Sequence, residues 1–143
     1  MRNRKPRSLS PAEVRAFLES KPGWMMLTTV GRDGTPHTVP LGYFLVGDDL
    51  YLGTMAGTQK IRNIERNPRV NVMVEKSEGS HLLGVMIQGE ATVISGDTER
   101  LALQRDAARG RGVTEEDLPT TARPGGAYIR VDPRRVISWE YGP

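Results

Sequence analysis

The feature that most constrains this chain is a succession of short apolar and β-branched runs separated by glycine-containing turns. The runs occupy residues 23–30, 35–46, 50–54, 69–75, 82–95 and 127–143. Val, Ile, Thr and Tyr suit the pleated, half-buried surface of a strand. "GRDG" at residues 31–34 predicts a hairpin between the first two runs, because Asp33 and Gly34 accept the left-handed backbone that tight turns need. We therefore predict roughly six antiparallel strands.

Helix signals occur in three other segments, residues 10–20, 59–66 and 97–110. The first has Ser10 as N-cap, Pro11 at the first helical position and Glu13 to complete a capping box. We expect Thr58 to cap the second helix. The third places leucines and alanines among charged residues and closes on Gly110, which predicts a glycine cap.

Six strands are too many for an open sheet of this size to leave its edges bare. We therefore predict a mainly β, α+β fold in which the sheet closes into a small antiparallel barrel. Pro40 cannot donate to a ladder, so it should lie at an edge or a bulge. Gly42 either lets a flat ligand approach the backbone or turns a barrel corner. We predict a single domain over residues 10–143, preceded by a basic, disordered tail at 1–9.

Composition excludes several classes of protein. The chain has no cysteine, which rules out disulfides, thiolate metal sites and cysteine nucleophiles. Its two histidines, His37 and His81, lack the short spacing of a zinc site, so no metal is predicted. No apolar run approaches the roughly 18 residues of a membrane span. No apolar segment follows the basic N-terminus, so we expect a cytoplasmic protein.

The turn before the second helix is the strongest candidate for chemistry. The first backbone N–H groups of that helix have no intrahelical acceptor. Lys60 lies in the first turn, where a positive charge is unfavourable by about a few tenths of a kcal/mol unless an anion is bound. These features predict an anion site. The alternative is an ordinary capped surface helix with a solvated lysine.

The order of residues over positions 10–142 resembles that of the pyridoxamine-phosphate-oxidase-like split β-barrel proteins. The similarity is greatest to the small branch that uses flavin or the deazaflavin coenzyme F420. Its most specific part is "GTMAGTQKIRNIERNPRV" at residues 53–70, which joins Gly-Thr, a small-residue loop, Thr-x-Lys, a helix and Asn-Pro-Arg-Val. The resemblance implies a split β-barrel and a homodimer with F420 or FMN bound at the subunit interface.

The resemblance also implies a set of cofactor-binding positions. These are Thr38, Val39, Pro40, Leu41, Gly53, Thr54, Thr58, Gln59, Lys60 and Trp139. The first four would run along the cofactor ring, and the next two would lie near the ring or ribityl chain. The following three would hold the phosphate, and the tryptophan would pack near the cofactor from the partner subunit. For the tryptophan, the alternative is plain core packing.

Two departures from the family pattern shape the expected activity. Gln59 stands where flavin oxidases often have arginine, which leaves both FMN and F420, whose phosphate is a diester, as possible cofactors. The chain ends at Pro143 without the C-terminal arginine and histidine segment by which true pyridoxamine phosphate oxidases hold their substrate. Vitamin B6 synthesis is therefore not expected.

We predict an oxidoreductase that uses F420 or FMN for hydride transfer to a small conjugated organic substrate. Because the cofactor carries the chemistry, no catalytic side chain is predicted. One alternative is a non-catalytic flavin-, deazaflavin- or haem-binding barrel. A more distant alternative is a nucleic-acid-binding barrel, prompted by Arg2, Arg4, Lys5 and Arg7 but opposed by the scarcity of aromatic side chains. The expected partners are the substrate and a second copy of the chain, and neither nucleic acid nor membrane.

Overall fold

The computed structural model describes residues 5–142. Within them the chain forms α1 (Pro11–Glu19), β1 (Met25–Val30), β2 (Pro36–Leu41), β3 (Tyr43–Val46), β4 (Asp49–Met55), α2 (Gln59–Arg66), β5 (Arg69–Glu78), β6 (His81–Ile94), α3 (Asp97–Gly110), a 3-10 turn (Glu115–Asp117) and β7 (Gly126–Tyr141).

The strands form one antiparallel sheet in the spatial order β2-β1-β5-β6-β7-β4-β3. This confirms the predicted class, a mainly β, antiparallel split barrel with short helices. Two details of the prediction were wrong. The described sheet has seven strands rather than six, and it does not close into a complete barrel.

Both differences have the same cause, a break in the second predicted strand at Gly42. The residues before it pair with β1, and those after it pair with β4 at the opposite end of the sheet. A backbone hydrogen bond from Gly53 N to Gly42 O, 3.2 Å long, extends the β3–β4 ladder by one residue pair beyond Tyr43 and Leu52. Because the chain leaves one end of the sheet and enters the other at this glycine, the two end strands do not form a common ladder. Pro40 lies on the edge strand β2, as predicted.

The main core is enclosed by the curved sheet and α1. Along β1, Met25, Leu27 and Thr29 are buried and alternate with half-buried residues on the outer face. This is the period-two pattern of a strand with one face in the core. From α1, Phe17 and Leu18 pack into the same cluster.

A smaller apolar cluster lies outside the barrel, where α3 packs against β3 and β4. Its buried members are Phe44, Tyr51, Ile94, Leu103 and Ala107. The Phe44 ring stacks on Tyr51 and meets Tyr128 edge-on, each with a centroid separation of 5.5 Å. This packing fixes α3 beside the end of the sheet that carries β3 and β4.

Local signals at α1 and the first hairpin were predicted correctly. Ser10 Oγ accepts from Glu13 N, and Glu13 Oε1 accepts from Ser10 N, which completes the capping box. The β1–β2 hairpin forms, but only one of its two expected turn residues is left-handed. Gly34 has φ +86°, whereas Asp33 Oδ1 accepts a hydrogen bond from Thr35 N.

The glycine expected to end α3 was assigned incorrectly. Gly110 is the last helical residue and Arg111 is the C-cap. Gly112 has the left-handed backbone, with φ +86°, and its N–H donates to Arg109 O at 2.9 Å. The cap therefore lies two residues beyond the predicted one, at the position where glycine usually ends a helix.

The N-terminal segment departs from the disordered tail predicted for residues 1–9. Arg7 pairs with Glu140 on β7 through both backbone and side chain, and its guanidinium also binds Glu13. Leu9 N donates to Ser138 Oγ at 2.9 Å. Residues 7–9 are thus attached to the C-terminal end of β7 by hydrogen bonds and ion pairs. Residues 1–4 lie outside the described part of the chain.

Candidate cofactor-binding site

The N-terminus of α2 follows β4 through a short turn at Ala56 and Gly57, whose φ is +73°. Thr58 occupies the N-cap position, as predicted, but its side chain does not cap the helix. Its hydroxyl donates to Met55 O at 3.0 Å instead of accepting from a helical N–H. The first amides of α2 are therefore left without a side-chain acceptor from the cap. This is the local structure from which helices bind anions.

Lys60 lies half-buried in the first turn of α2. Among residues 5–142, no carboxylate oxygen lies within 4.0 Å of its ammonium group. Burial lowers its pKa, because a partly desolvated ammonium is less stable in its charged form. A bound anion would remove that penalty, so the position suits a phosphate.

A buried amide holds this helix terminus against the sheet. Asn63 is fully buried, and its Nδ2 donates to Thr29 Oγ1 at 3.0 Å. Its Oδ1 accepts from Gln59 Nε2 at 2.8 Å and from Arg66 at 3.2 Å. Gln59 is therefore oriented by a residue in the core, although it lies on the exposed first turn. Arg62 also donates to Gln59 Oε1 at 3.0 Å.

The exposed side of α2 is a shallow, mainly cationic groove. It is lined by Arg32, Gln59, Arg62, Glu65 and Arg66. The sequence left open whether Arg62 and Arg66 extend the positive field or are simply solvated. Both guanidiniums bind backbone carbonyls, Arg62 that of Gly57 and Arg66 that of Val30. The Arg62 charge is thus held beside the N-terminus of α2, whereas the Arg66 charge lies in the last turn of the helix, beside the end of β1.

The four predicted residues of β2 lie on an edge of the sheet. Thr38 and Pro40 are exposed on its outer face, while Val39 and Leu41 point to the other side. Thr38 Oγ1 lies 2.8 Å from Thr28 Oγ1 on β1. An edge strand has backbone groups without a neighbouring strand, so this segment can offer main-chain hydrogen bonds to a ligand.

Gly53 and Thr54 lie on β4, opposite Tyr128 and Ala127 of β7. Gly53 N also donates to the carbonyl of Gly42, the residue that directly follows β2, by the hydrogen bond that extends the β3–β4 ladder. The structure thus brings the end of the β2 segment next to the Gly-Thr pair. These residues are near one another although they come from different ends of the sheet.

Trp139 lies apart from the other predicted residues. It is paired with Gly84 of β6, and a Cβ placed on that glycine would lie only 2.3 Å from the indole. The indole therefore lies against the bare backbone of Gly84, on a half-buried part of β7. β7 is four strands from β2 in the sheet, or about 19 Å along it at the usual strand spacing.

Sequence reasoning missed a cavity of about 420 Å³ between α3 and the strands β4 and β7. Besides Gly53 and Thr54, its lining includes Arg100, Arg111 and Arg123, which no motif indicated. One signal was available: Arg100 shares the buried face of α3 with Leu103 and Ala107. A charged residue on the apolar stripe of a helix often has a specific role, because burial of an unpaired charge is costly.

Two buried polar atoms have no hydrogen-bond partner among the described residues, His37 Nδ1 and Asn71 Oδ1. Asn71 is in register with Thr28, which in turn pairs with Thr38 on β2. An unsatisfied buried acceptor is unusual in a folded protein, and a bound water or a ligand can donate to it. A cofactor with ring N–H groups or hydroxyls could supply one.

Metal and membrane features were searched within the described residues. Across 5–142, no three His, Asp or Glu side chains converge as a metal site requires. None of the helices described there is long and apolar enough to cross a membrane.

Comparison with solved structures places the fold among the split β-barrels. A conserved hypothetical protein from Mycobacterium tuberculosis superimposes with a TM-score of 0.80 at 25% identity, over 98% of this chain and 90% of that one. A FAD-binding protein from Mesorhizobium loti superimposes with a TM-score of 0.72 at 26% identity, over 95% of this chain and 98% of that one. An F420 reductase superimposes with a TM-score of 0.57 at 23% identity, over 80% of this chain and 89% of that one, and this similarity supports the fold alone.

The sequence profile described as pyridoxamine 5'-phosphate oxidase matches residues 10–140. The chain belongs to this family. No match was found among curated proteins.

Proposed function

We propose that this protein is an oxidoreductase that binds a flavin-type cofactor, F420 or FMN, and transfers hydride to a small conjugated organic substrate. The observation that carries the proposal is the first turn of α2, where the amides and the half-buried Lys60 have no anionic partner among the described residues. Family membership and the similarity to a FAD-binding protein support the same class of cofactor.

The residues of the chain would have separate tasks. Thr58, Gln59 and Lys60 would hold the phosphate at the positive end of α2. The edge strand from Thr38 to Leu41 would present backbone groups to the ring. The bound cofactor supplies the hydride chemistry, so the protein's part is to position it, to tune it by hydrogen bonds and to exclude water.

We further propose that the functional unit is a homodimer. The outer face of the sheet carries an apolar row in register, with Met26, Met73, Met86 and Ile137 on four successive strands. All four side chains are only partly buried in the single chain. Trp139 lies beside this row but is four strands from β2, so it would need a second copy to reach a ring lying there.

The nucleic-acid alternative gains no support from the described part of the basic N-terminus. Arg7 is engaged by Glu13 and Glu140, with N–O distances of 2.8 and 2.6 Å. Its charge is therefore largely balanced within the chain. Arg2 and Arg4 lie outside the described residues.

The proposal can be tested by titrating the purified apo-protein with FMN, FAD and F420, followed by cofactor fluorescence. We expect one of them to bind at micromolar concentration or better. Lys60→Ala should weaken that binding about 10- to 150-fold, the equivalent of about 1.5–3 kcal/mol for a charged hydrogen bond.

Lys76→Ala is the matched control, because Lys76 is exposed and lies 3.4 Å from Glu78 on the β5–β6 hairpin. It should leave the affinity unchanged. If none of the three cofactors binds, the oxidoreductase proposal is lost. If Lys60→Ala binds as tightly as the unmodified protein, the phosphate is held elsewhere. Binding without oxidation or reduction of any conjugated substrate tested would favour a non-catalytic binding protein.

A further inference from the structure

The cavity beside α3 has a charge pattern that the proposed cofactor site does not use. Its lining contains Lys21, Arg100, Arg111 and Arg123 and no aspartate or glutamate. We call this space the α3 cavity. Its volume of about 420 Å³ lies in the range of small-molecule sites. Concave surfaces lined by one sign of charge concentrate ligands of the opposite sign.

Arg100 forms a fixed wall of the α3 cavity. Its side chain is 8% exposed, and it donates to Ser95 O at 3.0 Å and to Arg123 O at 2.6 Å. It also pairs with Asp97, whose carboxylate is 88% exposed. Each of its three guanidinium nitrogens therefore donates to a group of the protein. Its role is to place one positive charge and to hold the loop that carries Arg123.

Arg111 and Arg123 are the groups available to a ligand. Within residues 5–142, neither guanidinium takes part in an ion pair or a side-chain hydrogen bond. The backbone of Arg123 is nevertheless held on both sides, since its N–H donates to Gln104 Oε1 at 3.0 Å and its C=O accepts from Arg100. Arg111 is fixed as the C-cap of α3. Two free guanidiniums thus extend from anchored backbone.

Tyr128 marks the point at which these charges converge. It lines the cavity, is half-buried, and its ring lies 3.7 Å from the position of a Cβ on Gly53. Burial raises the pKa of its phenol, while the charges of Arg111, Arg100 and Arg123 oppose that rise. All three arginines line the same cavity as Tyr128, whose hydroxyl has no hydrogen-bond partner among the described residues.

We propose that the α3 cavity binds a planar conjugated ligand that carries an oxyanion group, a carboxylate or a phosphate. The oxyanion would be held by Arg111 and Arg123, whose planar forks match both groups. The conjugated part would lie against Tyr128 and the bare backbone of Gly53. Anion binding stands independently of the proposed function. The assignment of this ligand as the substrate, in contrast, rests on the proposed function. The link is that Gly53 and Thr54 line the α3 cavity and are also among the predicted cofactor-binding residues.

The test uses the protein without cofactor and three probes, benzoate, phenyl phosphate and inorganic phosphate. Tyrosine ionisation is followed by ultraviolet difference absorbance during an alkaline titration, and Tyr128→Phe identifies the signal of this residue. A bound anion should offset the guanidinium charges and raise the pKa of Tyr128. We expect benzoate or phenyl phosphate to bind at least about 10-fold more tightly than inorganic phosphate, which lacks a ring.

Arg111→Ala/Arg123→Ala should weaken aryl anion binding at least about 10-fold and remove the ligand-dependent shift of the phenol. The charge-matched control is Arg69→Ala/Lys76→Ala on β5, which does not line the cavity. Three results would overturn the proposal. They are equal affinity of the two double variants for the aryl anions, no saturable binding of any probe to the unmodified protein, and equal binding of inorganic phosphate and the aryl anions. Because no cofactor is present, a failed cofactor titration leaves this result unaffected, and the reverse also holds.

Discussion

Replacing Asn63 by alanine tests whether the core holds the candidate phosphate loop in place. The amide is fully buried and makes three side-chain hydrogen bonds, to Thr29, Gln59 and Arg66. Gln59 and Arg66 are exposed and can turn to water once the amide is removed. Thr29 is 0% exposed and cannot, so its hydroxyl loses its partner inside the protein.

The expected loss follows from these contacts. A net hydrogen bond contributes about 0.5–1.5 kcal/mol, and a buried polar group left without a partner costs about 1–3 kcal/mol. We therefore expect Asn63→Ala to lower the free energy of unfolding by about 2–4 kcal/mol. For a domain of this size that corresponds to a fall in Tm of roughly 6–16 °C. Cofactor affinity should fall as well, because Gln59 is no longer oriented.

The assay is urea unfolding followed by tryptophan fluorescence, with equal slopes required for comparison. Asn67→Ala is the control, since Asn67 is only half-buried at the other end of α2 and accepts one bond, from Arg69 N at 3.2 Å. It should cost less than about 1 kcal/mol. Thr29→Val/Asn63→Leu removes both polar partners and should recover most of the loss. A loss below about 1 kcal/mol, or a double variant no more stable than Asn63→Ala, would refute this reasoning.

Three further predictions concern charge and packing. Burial lowers the pKa of Lys60, and a bound phosphate should raise it, so cofactor affinity should fall as pH rises through the alkaline range in fluorescence titrations. A hydrogen bond from Arg7 lowers the pKa of Glu13 from 4.5 to about 2. The ionised Glu13 therefore stabilises the fold fully above the pKa that it has in the unfolded chain, and this stabilisation is lost as the pH falls towards the folded-state pKa. Glu13→Gln should flatten the acid side of the curve of unfolding free energy against pH, measured by urea unfolding. Gly89→Ala should cost about 1–3 kcal/mol or more in the same assay, because its Cβ would lie 2.1 Å from Asp132 O.

Each of these has a contrary outcome. Cofactor affinity that shows the same pH slope in Lys60→Ala would mean that another group titrates. An unchanged acid limb in Glu13→Gln would mean that its contacts persist in the unfolded chain. Gly23→Ala is the control for Gly89, because a Cβ at Gly23 meets nothing within 4 Å. The β6–β7 pairing has a shift in register between Gln88 and Gly89. Equal stabilities of the two alanine variants would show that the backbone at this irregularity relaxes freely.

The sequence predicted the features of the fold that depend on a few neighbouring residues. The capping box of α1, the bounds of α2 and the first hairpin all follow from side chains within four positions of the backbone that they affect. The end of α3 shows the limit of this reasoning. Gly110 and Gly112 are both suitable cap residues, and only the three-dimensional path of the backbone distinguishes them.

The topology of the sheet was not predictable in the same way. Residues 35–46 form a single strand-like run in which only Pro40 and Gly42 interrupt the interior. Whether such a run continues or divides depends on the strands that are available to pair with each half, and these are β1 and β4, from different parts of the chain. Pairing of distant strands leaves little trace in local composition.

The arginines of the α3 cavity were missed for a related reason. Arg100, Arg111 and Arg123 are spread over two dozen positions, and apart from the place of Arg100 on the apolar face of α3, each resembles an ordinary solvated side chain in the sequence. They become a group only because α3 packs on β3 and β4 and the following loop returns to Arg100. The phosphate loop was predictable because its residues are consecutive.

Packing requires some glycines of the sheet, whereas others would be required only by a bound ligand. A Cβ on Gly84 would lie 2.3 Å from the indole of Trp139, so packing explains that glycine. A Cβ on Gly53 would meet only the Tyr128 ring at 3.7 Å, an ordinary contact, and its backbone is not left-handed.

Gly53→Ala should therefore keep or raise stability, by about 0.5 kcal/mol from reduced backbone entropy. It should nevertheless weaken binding of the cofactor or of an aryl anion, because the methyl group occupies the bare surface that they share. Urea unfolding and the two titrations measure both effects on one variant. Unchanged binding of both ligands would show that neither approaches this backbone.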